Sequence, residues 1–339
     1  MNQSATRYLK QRLGKAPPIK AKGVSLIELM IGIVLGMLAV LAVLSVYLVM
    51  ARTHATGDNL ARIQENTRIA FELMASDIRD AGLILCGSDL ALINTIPQTP
   101  AAPATPDFWW NAQGVRGYQA GLAVPGLLTG IQAGNRAANT EAVQVSASRG
   151  NGIGISNFTP GTPATFTLQS AAHGFAANEA VVVCNQTQAH LTRIDPSPLP
   201  PAAPTSDVTT TLAANPAYQS NSTMTVYSTT LWYVGCTGRG DCAQPGGRAL
   251  YRIASGESNS PPEEVISDVS DMRVLYLVRG AAQYESAANV AANQWVNVTA
   301  LRVSLTFHST DRNVATESAQ DGRLFRTVTH TIALRNRVP

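Results

Sequence analysis

From Leu29 to Ala51 the chain runs 23 residues without a charged side chain, LMIGIVLGMLAVLAVLSVYLVMA. At about 1.5 Å per residue a helix of this length covers roughly 34 Å, enough to cross the hydrocarbon core of a bilayer. The run exceeds the apolar region of about 7–15 residues that a cleavable secretory signal carries, so it predicts a spanning helix. Arg7, Lys10, Arg12, Lys15, Lys20 and Lys22 precede it with no acid among them, whereas charges of both signs follow it, Arg52, Asp58, Arg62 and Glu65. That asymmetry puts the N-terminus in the cytoplasm and everything beyond about residue 52 outside it.

The same asymmetry undoes the formal net charge of +3. After Gly23 the chain holds 19 arginines, 22 acidic residues and no lysine, a net charge of −3. A nucleic-acid partner bound through phosphate neutralisation does not fit that balance. Schiff-base chemistry and a phosphate-cradling P-loop both need a lysine and are excluded for residues 24–339.

One carboxylate complicates the simple anchor. Glu28 opens the apolar run, and an ionised acid in a spanning helix costs on the order of 2.5–3.5 kcal/mol at the bilayer centre and less near the interface. By charge and position Glu28 is either hydrated at headgroup level or matched by a partner. Its surroundings, Lys22-Gly23-Val24-Ser25-Leu26-Ile27-Glu28-Leu29, resemble the class III signal of type IV prepilins and type II secretion pseudopilins. The resemblance implies that a prepilin peptidase cuts between Gly23 and Val24, that Val24 is then N-methylated, and that Glu28 neutralises an N-terminal amine in the assembled filament. Val24 stands where that family most often has Phe, and the 23-residue leader is long. The physics agrees with the pairing, because opposite charges attract far more strongly in low dielectric and a buried Glu28 becomes tolerable when an ammonium arrives with a neighbouring helix.

Beyond the apolar run Leu60, Ile63, Thr67, Ala70, Phe71, Met74, Ile78 and Ala81 recur at steps of three and four, so the helix is predicted to continue with one apolar face. Asp58 with Arg62 and Arg68 with Glu72 are spaced i,i+4 on the opposite side, and Gly82 is a stop signal. A helix over 26–81 would be about 84 Å long, the proportions of a pilin spine. Gly32 and Gly36 read as close-packing positions between helices in lipid, and Gly57 as a candidate bend. After Gly82 short alternating runs predict strands at 142–145, 180–184, 208–212, 223–227, 231–234, 249–253, 271–278, 296–308 and 325–334. Val303, Leu305 and Phe307 are expected to point inward, Ser304, Thr306 and His308 outward. Thr95–Pro106 and Ser197–Ser206 read as surface loops. The predicted organisation is a leader (1–23), a transmembrane half-helix (24–51), an amphipathic half-helix (52–82) and one exported head (83–339). Its class is α+β, a long N-terminal helix packed on an antiparallel sheet, with long insertions.

The four cysteines, Cys86, Cys184, Cys236 and Cys242, fall on the exported side, where disulfides persist, and admit three pairings. The short Cys236–Cys242 spacing suits a loop clip, leaving Cys86 to Cys184; a zinc site is the competing reading, but C-x₅-C without a nearby His is not metal-ligand spacing. There is no G-x-S-x-G or H-E-x-x-H, and His54, His173, His190, His308 and His330 are scattered, so neither an enzyme nor a cofactor is predicted. Asp107 and Asn111 are oxygen donors outside any calcium-loop spacing. Gly150-Asn-Gly-Ile-Gly reads as a loop, and Arg239-Gly240-Asp241, between two cysteines, as a chance tripeptide.

Four phrases, Ala75-Ser-Asp-Ile-Arg-Asp-Ala-Gly, Glu264-Val-Ile-Ser-Asp-Val-Ser-Asp-Met-Arg-Val-Leu-Tyr, Trp295-Val-Asn-Val-Thr-Ala-Leu-Arg-Val-Ser-Leu and Arg323-Leu-Phe-Arg-Thr-Val-Thr-His-Thr-Ile-Ala-Leu-Arg-Asn, are similar to the PilW family of minor pilins. The resemblance touches both ends of the mature chain and is loose over roughly 95–260. It implies a minor pilin that sits near the tip of a type IV pilus and helps to prime assembly. The implied partners are other minor pilins, a tip adhesin, the prepilin peptidase and the membrane; the implied location is the inner membrane and the pilus tip. A J-like minor pseudopilin of type II secretion is the alternative, and a membrane-anchored binding ectodomain a more distant one.

Overall fold

The computed structural model describes residues 23–87, 90–96, 112–195, 206–212, 218–255, 261–315 and 322–337. The loop expected at 95–106 is described only at Thr95 and Ile96, the one at 197–206 only at Ser206, and Asp107 and Asn111 lie outside the described residues. The chain divides into two units, Met1–His54 and Ala55–Pro339. Helix α1 (Leu26–Arg79) contributes to both, and among the described residues it alone is long and apolar enough to cross a membrane. In the first unit its apolar side chains are exposed, and Ser45 and Thr53 donate their hydroxyl protons to Ala42 O and Val49 O one turn back, which satisfies both groups without water.

In the second unit one stripe of α1 is buried: Asn59, Ile63, Ala70, Phe71, Met74, Ala75 and Ile78. Of the expected apolar face Leu60 and Thr67 are only half-buried, and Ala75 and Asn59 are added to it; the Asn is satisfied by Ala55 O at 2.7 Å and Asp311 Oδ2 at 2.9 Å. On the outer side Arg68 meets Glu65 at 3.6 Å rather than the expected Glu72. Asp58 and Arg62 form no ion pair among the described residues. Exposed pairs of this kind are worth a few tenths of a kcal/mol, too little to choose between spacings.

The stripe packs against a four-stranded antiparallel sheet ordered β12 (Glu285–Ser286), β11 (Val269–Val278), β13 (Val298–His308), β14 (Phe325–Ala333). Val274, Val303, Leu305 and Phe307 of that sheet join Met74 and Ile78 in one core. Ser304 and Thr306 face outward as expected and bond to Thr329 and Thr327. His308 does not: as the last residue of β13, paired with Phe325, it is buried beside that ring and Asp268, with Nδ1 3.0 Å from Ser309 O.

The same core takes in Val143, Val145, Trp232, Val234 and Leu250 from a larger sheet. Its spine is two long antiparallel strands, β3 (Ala142–Thr159) and β8 (Thr223–Cys236). Near the helix they are flanked by β2 (Val115–Tyr118) on β3 and by β9 (Arg248–Ser255), then β10 (Glu263–Ser267), beyond β8. The stretch Gly150-Asn-Gly-Ile-Gly, expected as a loop, is instead a bulge inside β3. The register shifts between Arg149 and Ile153, with Gly150 at φ +83° and Gly152 at +68°, so the strand bends there.

Past that bend β3 and β8 build a second structure with β4 (Ala164–Leu168), β5 (Ala180–Cys184), β6 (Ala189–Arg193) and β7 (Asp207–Thr210). The pairings run β3–β4–β7 on one side and β8–β5–β6 on the other. An antiparallel bridge between Ile194 and Thr210, with Thr211 N–H to Arg193 O (2.8 Å) and Asp195 N–H to Thr209 O (2.9 Å), joins β7 to the end of β6. The result is a closed six-stranded antiparallel barrel, with β1 (Leu92–Asn94) added parallel to β6. Phe166, Leu168, Val181, Val183, Ile194, Val208 and Met224 fill it, so it encloses a packed core. The expected strands 223–227 and 231–234 are one strand, and β1, β2, β4, β6, β10 and β12 were not expected.

The C-terminal end of α1 is finished by chain from the far end of the sequence. Arg335 N–H donates to Arg79 O (2.9 Å) and Asn336 Nδ2 to Gly82 O (2.6 Å), supplying partners to carbonyls that the helix leaves open. Arg337 is buried beside them, donating to Trp295 O and Gln113 O, and desolvation lowers its pKa to about 10. Gly82 and Gly114 have φ +76° and +75°, and a Cβ on Gly114 would stand 2.5 Å from Gly82 Cα and 2.8 Å from the Arg337 guanidinium. Gly114→Ala should therefore destabilise the protein by about 2–4 kcal/mol, read as a fall in Tm of roughly 5–15 °C; an unchanged Tm would show that the junction is not tight.

Candidate functional site

Gly23 and Val24 lie in exposed non-helical chain immediately before α1. Ser25 caps the helix: the Glu28 N–H lies 3.2 Å from Ser25 Oγ. With Ser25 at the cap and Glu28 three residues on, the segment has capping-box spacing, and an acid in the first turn faces the positive end of the helix dipole. The role of Ser25 was missed from the sequence although the S-x-x-E spacing signals it. Glu28 is exposed and its carboxylate has no partner among the described residues. A Cβ on Gly32 or Gly36 would meet nothing within 4 Å, so α1 presents two bare spots beyond the acid.

The other end of the helix carries a polar clasp. Asp77, on the flank of the buried stripe, accepts from Trp232 Nε1 (3.0 Å) and pairs with Arg149 (3.0 Å) and Arg252 (3.3 Å), so three elements of the larger sheet converge on one carboxylate. The Asp77 side chain is 9% exposed and that of Arg149 50%. Ser76, Asp80, Ser146, Ser148, Ser228 and Thr230 line a cleft of about 330 Å³ around it.

Cys86 is bonded to Cys184 across 98 residues, with Cα atoms 5.9 Å apart, and Cys236 to Cys242 with Cα atoms 5.3 Å apart. The first bond ties the segment after α1 to the barrel strand β5. The second closes the loop that holds Arg239-Gly240-Asp241, where Arg239 is bound through both terminal nitrogens to Glu264 and Asp241 caps the Ala243 N–H. Both charges of the tripeptide are thus used internally.

The histidines remain apart. His173 Nδ1 accepts from the Phe175 N–H, His190 contacts the Tyr218 hydroxyl inside the barrel with its pKa lowered by burial, and His330 stacks on Phe71 at 4.0 Å. Among the described residues no three His, Cys, Asp or Glu side chains gather as a metal site.

The clasp residue Trp232 opens the segment on which a comparison with known families turns. Residues 232–336 match the PilW family. That family is described as type IV pilus-assembly protein W, and the match runs from β8 through the four-stranded sheet to Asn336 at the helix end. No curated protein matches the sequence. Among solved structures the type IV-like pilin from Thermus thermophilus is similar, with 11% identity, 82% of this chain and 98% of that chain covered, and a TM-score of 0.33. The PilW segment contains the sheet that buries α1 and leaves out the barrel strands β4–β7. The match and the long apolar N-terminal helix together support a pilin role in a type IV pilus.

The Asp77 clasp sits where the PilW segment begins, and its strength can be measured. Asp77→Ala should cost about 3–5 kcal/mol, because it strands Arg252 in a half-buried position. Arg149→Ala should cost under about 1 kcal/mol, since that partner is half in water. Equal losses in chemical denaturation would reject the clasp as a buried pairing.

Proposed function

We propose that this chain is a minor pilin that assembles near the tip of a type IV pilus and helps to prime it. The observation that carries the reading is the PilW match over 232–336, joined to an N-terminus in which Gly23, Val24, Ser25 and Glu28 stand in prepilin order. In this reading residues 1–23 are a leader removed between Gly23 and Val24, and Val24 is N-methylated. The leader holds the cytoplasmic side, residues 24–51 span the inner membrane, and the head is exported with its disulfides. Glu28 meets the amine of a neighbouring subunit, which repays the cost of an acid in the bilayer and fixes the axial register of two helices. A barrel added to the PilW scaffold enlarges every copy, which suits a low-copy place at the tip better than a densely packed shaft. The partners are the prepilin peptidase, the other minor pilins and a tip adhesin.

Two variants test separate steps. If only a residue without a side chain fits the peptidase subsite, Gly23→Glu should accumulate as full-length protein in the inner membrane. Mature-length Gly23→Glu chain on a denaturing gel would sink the prepilin reading. Glu28→Leu, by contrast, should be cleaved and inserted normally, since it makes the helix more apolar. It should lower surface pili and co-purifying minor pilins more than about twofold in a strain lacking the wild-type copy. A plain anchor predicts no loss from Glu28→Leu.

A further inference from the structure

Strand β14 is the outer strand of the four-stranded sheet, paired on one side to β13 through all nine residues without a register shift. Which of its main-chain groups are used follows from two hydrogen bonds that continue the same ladder, Leu334 N–H to Thr299 O (2.9 Å) and Ser309 N–H to Leu324 O (2.8 Å). Hydrogen-bonded pairs alternate along an antiparallel ladder, so the even-numbered residues of β14 face β13. The N–H and C=O groups of Phe325, Thr327, Thr329, Thr331 and Ala333 point away from the sheet, and among the described residues nothing pairs with them.

An open edge is normally blunted by short length, a bulge, a proline, a lysine or closure. The other edges of this head use those devices. Strands β1, β2 and β12 have three, four and two residues, β10 is bulged at Glu264/Ile266, and β7 is joined to β6 by the barrel. Strand β14 is nine residues long, runs beside β13 without a bulge, contains no proline or lysine and one arginine, Arg326, near its start, and is rich in the β-branched residues that favour an extended chain.

We infer that the free edge of β14 receives an extended strand from another pilus subunit, an uncharged or acidic segment that continues the sheet. Charge selects the partner. Residues 322–337 carry Arg323, Arg326, Arg335 and Arg337 and no acid, with Arg326 and Arg335 exposed at the two ends of the strand. A second copy of this chain is a poor fit. Antiparallel pairing about Thr329 sets Arg323 opposite Arg335, in-register parallel pairing sets each arginine against itself, and like charges directly opposite are unfavourable. A strand bearing acids at its ends is attracted instead. The inference deepens the minor-pilin reading and rests on it, because the strand must come from an assembly partner.

Thr329→Pro isolates the edge, since it deletes an outward N–H while leaving the β13 ladder intact, and proline is tolerated at edge positions of this kind. Thr329→Val is its control: it removes the same Ser304–Thr329 hydroxyl contact but keeps the N–H. With full-length protein in cells, Thr329→Pro should appear in sheared pili at less than about a tenth of the wild-type amount and Thr329→Val at the wild-type amount. Hydrogen exchange on the wild-type chain is independent of any folding defect. The amides of Thr327, Thr329 and Thr331 should exchange at least tenfold more slowly in the sheared pilus fraction than in detergent-solubilised chain alone. Equal incorporation of the two variants, or exchange at these amides unchanged by assembly, would overturn the strand addition while leaving the pilin role in place. A Thr331→Cys chain that cross-links to its own copy in pili would overturn the choice of partner. Absence of wild-type chain from pili would overturn the pilin reading and this inference with it.

Discussion

The core that joins the two sheets of the head depends on the burial of one helical stripe. Ala70, Met74 and Ile78 are completely enclosed, and they touch residues from the four-stranded sheet and from the larger one, so a single helix face fills the space between two sheets. Neither sheet could bury its inner face without it. The clasp at Asp77 and the C-terminal residues at Arg79 and Gly82 then fix how far along the helix the sheets sit. A dry stripe gives the bulk of the stabilisation without preferring one axial position; directional bonds at its end supply the position.

Arginine does much of that directional work. Arg337 donates to Trp295, Val298 and Gln113 carbonyls, Arg136 to Leu122, Gln119 and Thr140, Arg248 to Cys242 and Ser270, and Arg323 to Ser309 and Thr310. Arg337, Arg136 and Arg248 each gather main-chain oxygens from separate segments, and Arg323 holds two consecutive ones just after β13. A guanidinium does this with a planar fork of five donors, whereas an ammonium offers a compact, strongly hydrated point charge that is costly to strip of water. The absence of lysine after Lys22 thus has a structural counterpart in a head that uses its cations inside as connectors. Burial lowers the pKa of Arg136 as well as that of Arg337.

The barrel shows how a scaffold enlarges without exposing new main chain. β3 and β8 serve the pilin core at one end and the barrel at the other, and the Gly150–Gly154 bulge turns them between the two. Closure through Ile194 and Thr210 removes the edges that an open extension of the sheet would have left. The disulfide from Cys86 to Cys184 binds this addition back to the segment leaving the helix. Strand β14, on the other sheet, receives no such treatment.

Local signals in the sequence were enough for the elements whose pattern is local. The charge-free run, the three-and-four spacing to Ala81, the Gly82 stop and the alternation of Val303, Leu305 and Phe307 each depend on neighbours along the chain, and each reads directly as a helix or strand. The strands that escaped notice are short or polar, such as Val115–Tyr118 and Ala189–Arg193, and are strands because a neighbouring strand, β3 or β5, already presents an edge to them. His308 was misplaced because alternation fixes which side a residue takes within a ladder but says nothing of what covers that side, here Phe325 and Asp268. Tertiary structure alone decided that Asp77 would gather two arginines and a tryptophan, that residues 335–337 would close a helix more than 250 positions earlier, and that six strands would form a ring. Those are contacts between segments far apart in the chain, whose loop-closure entropy is recovered only when many form together.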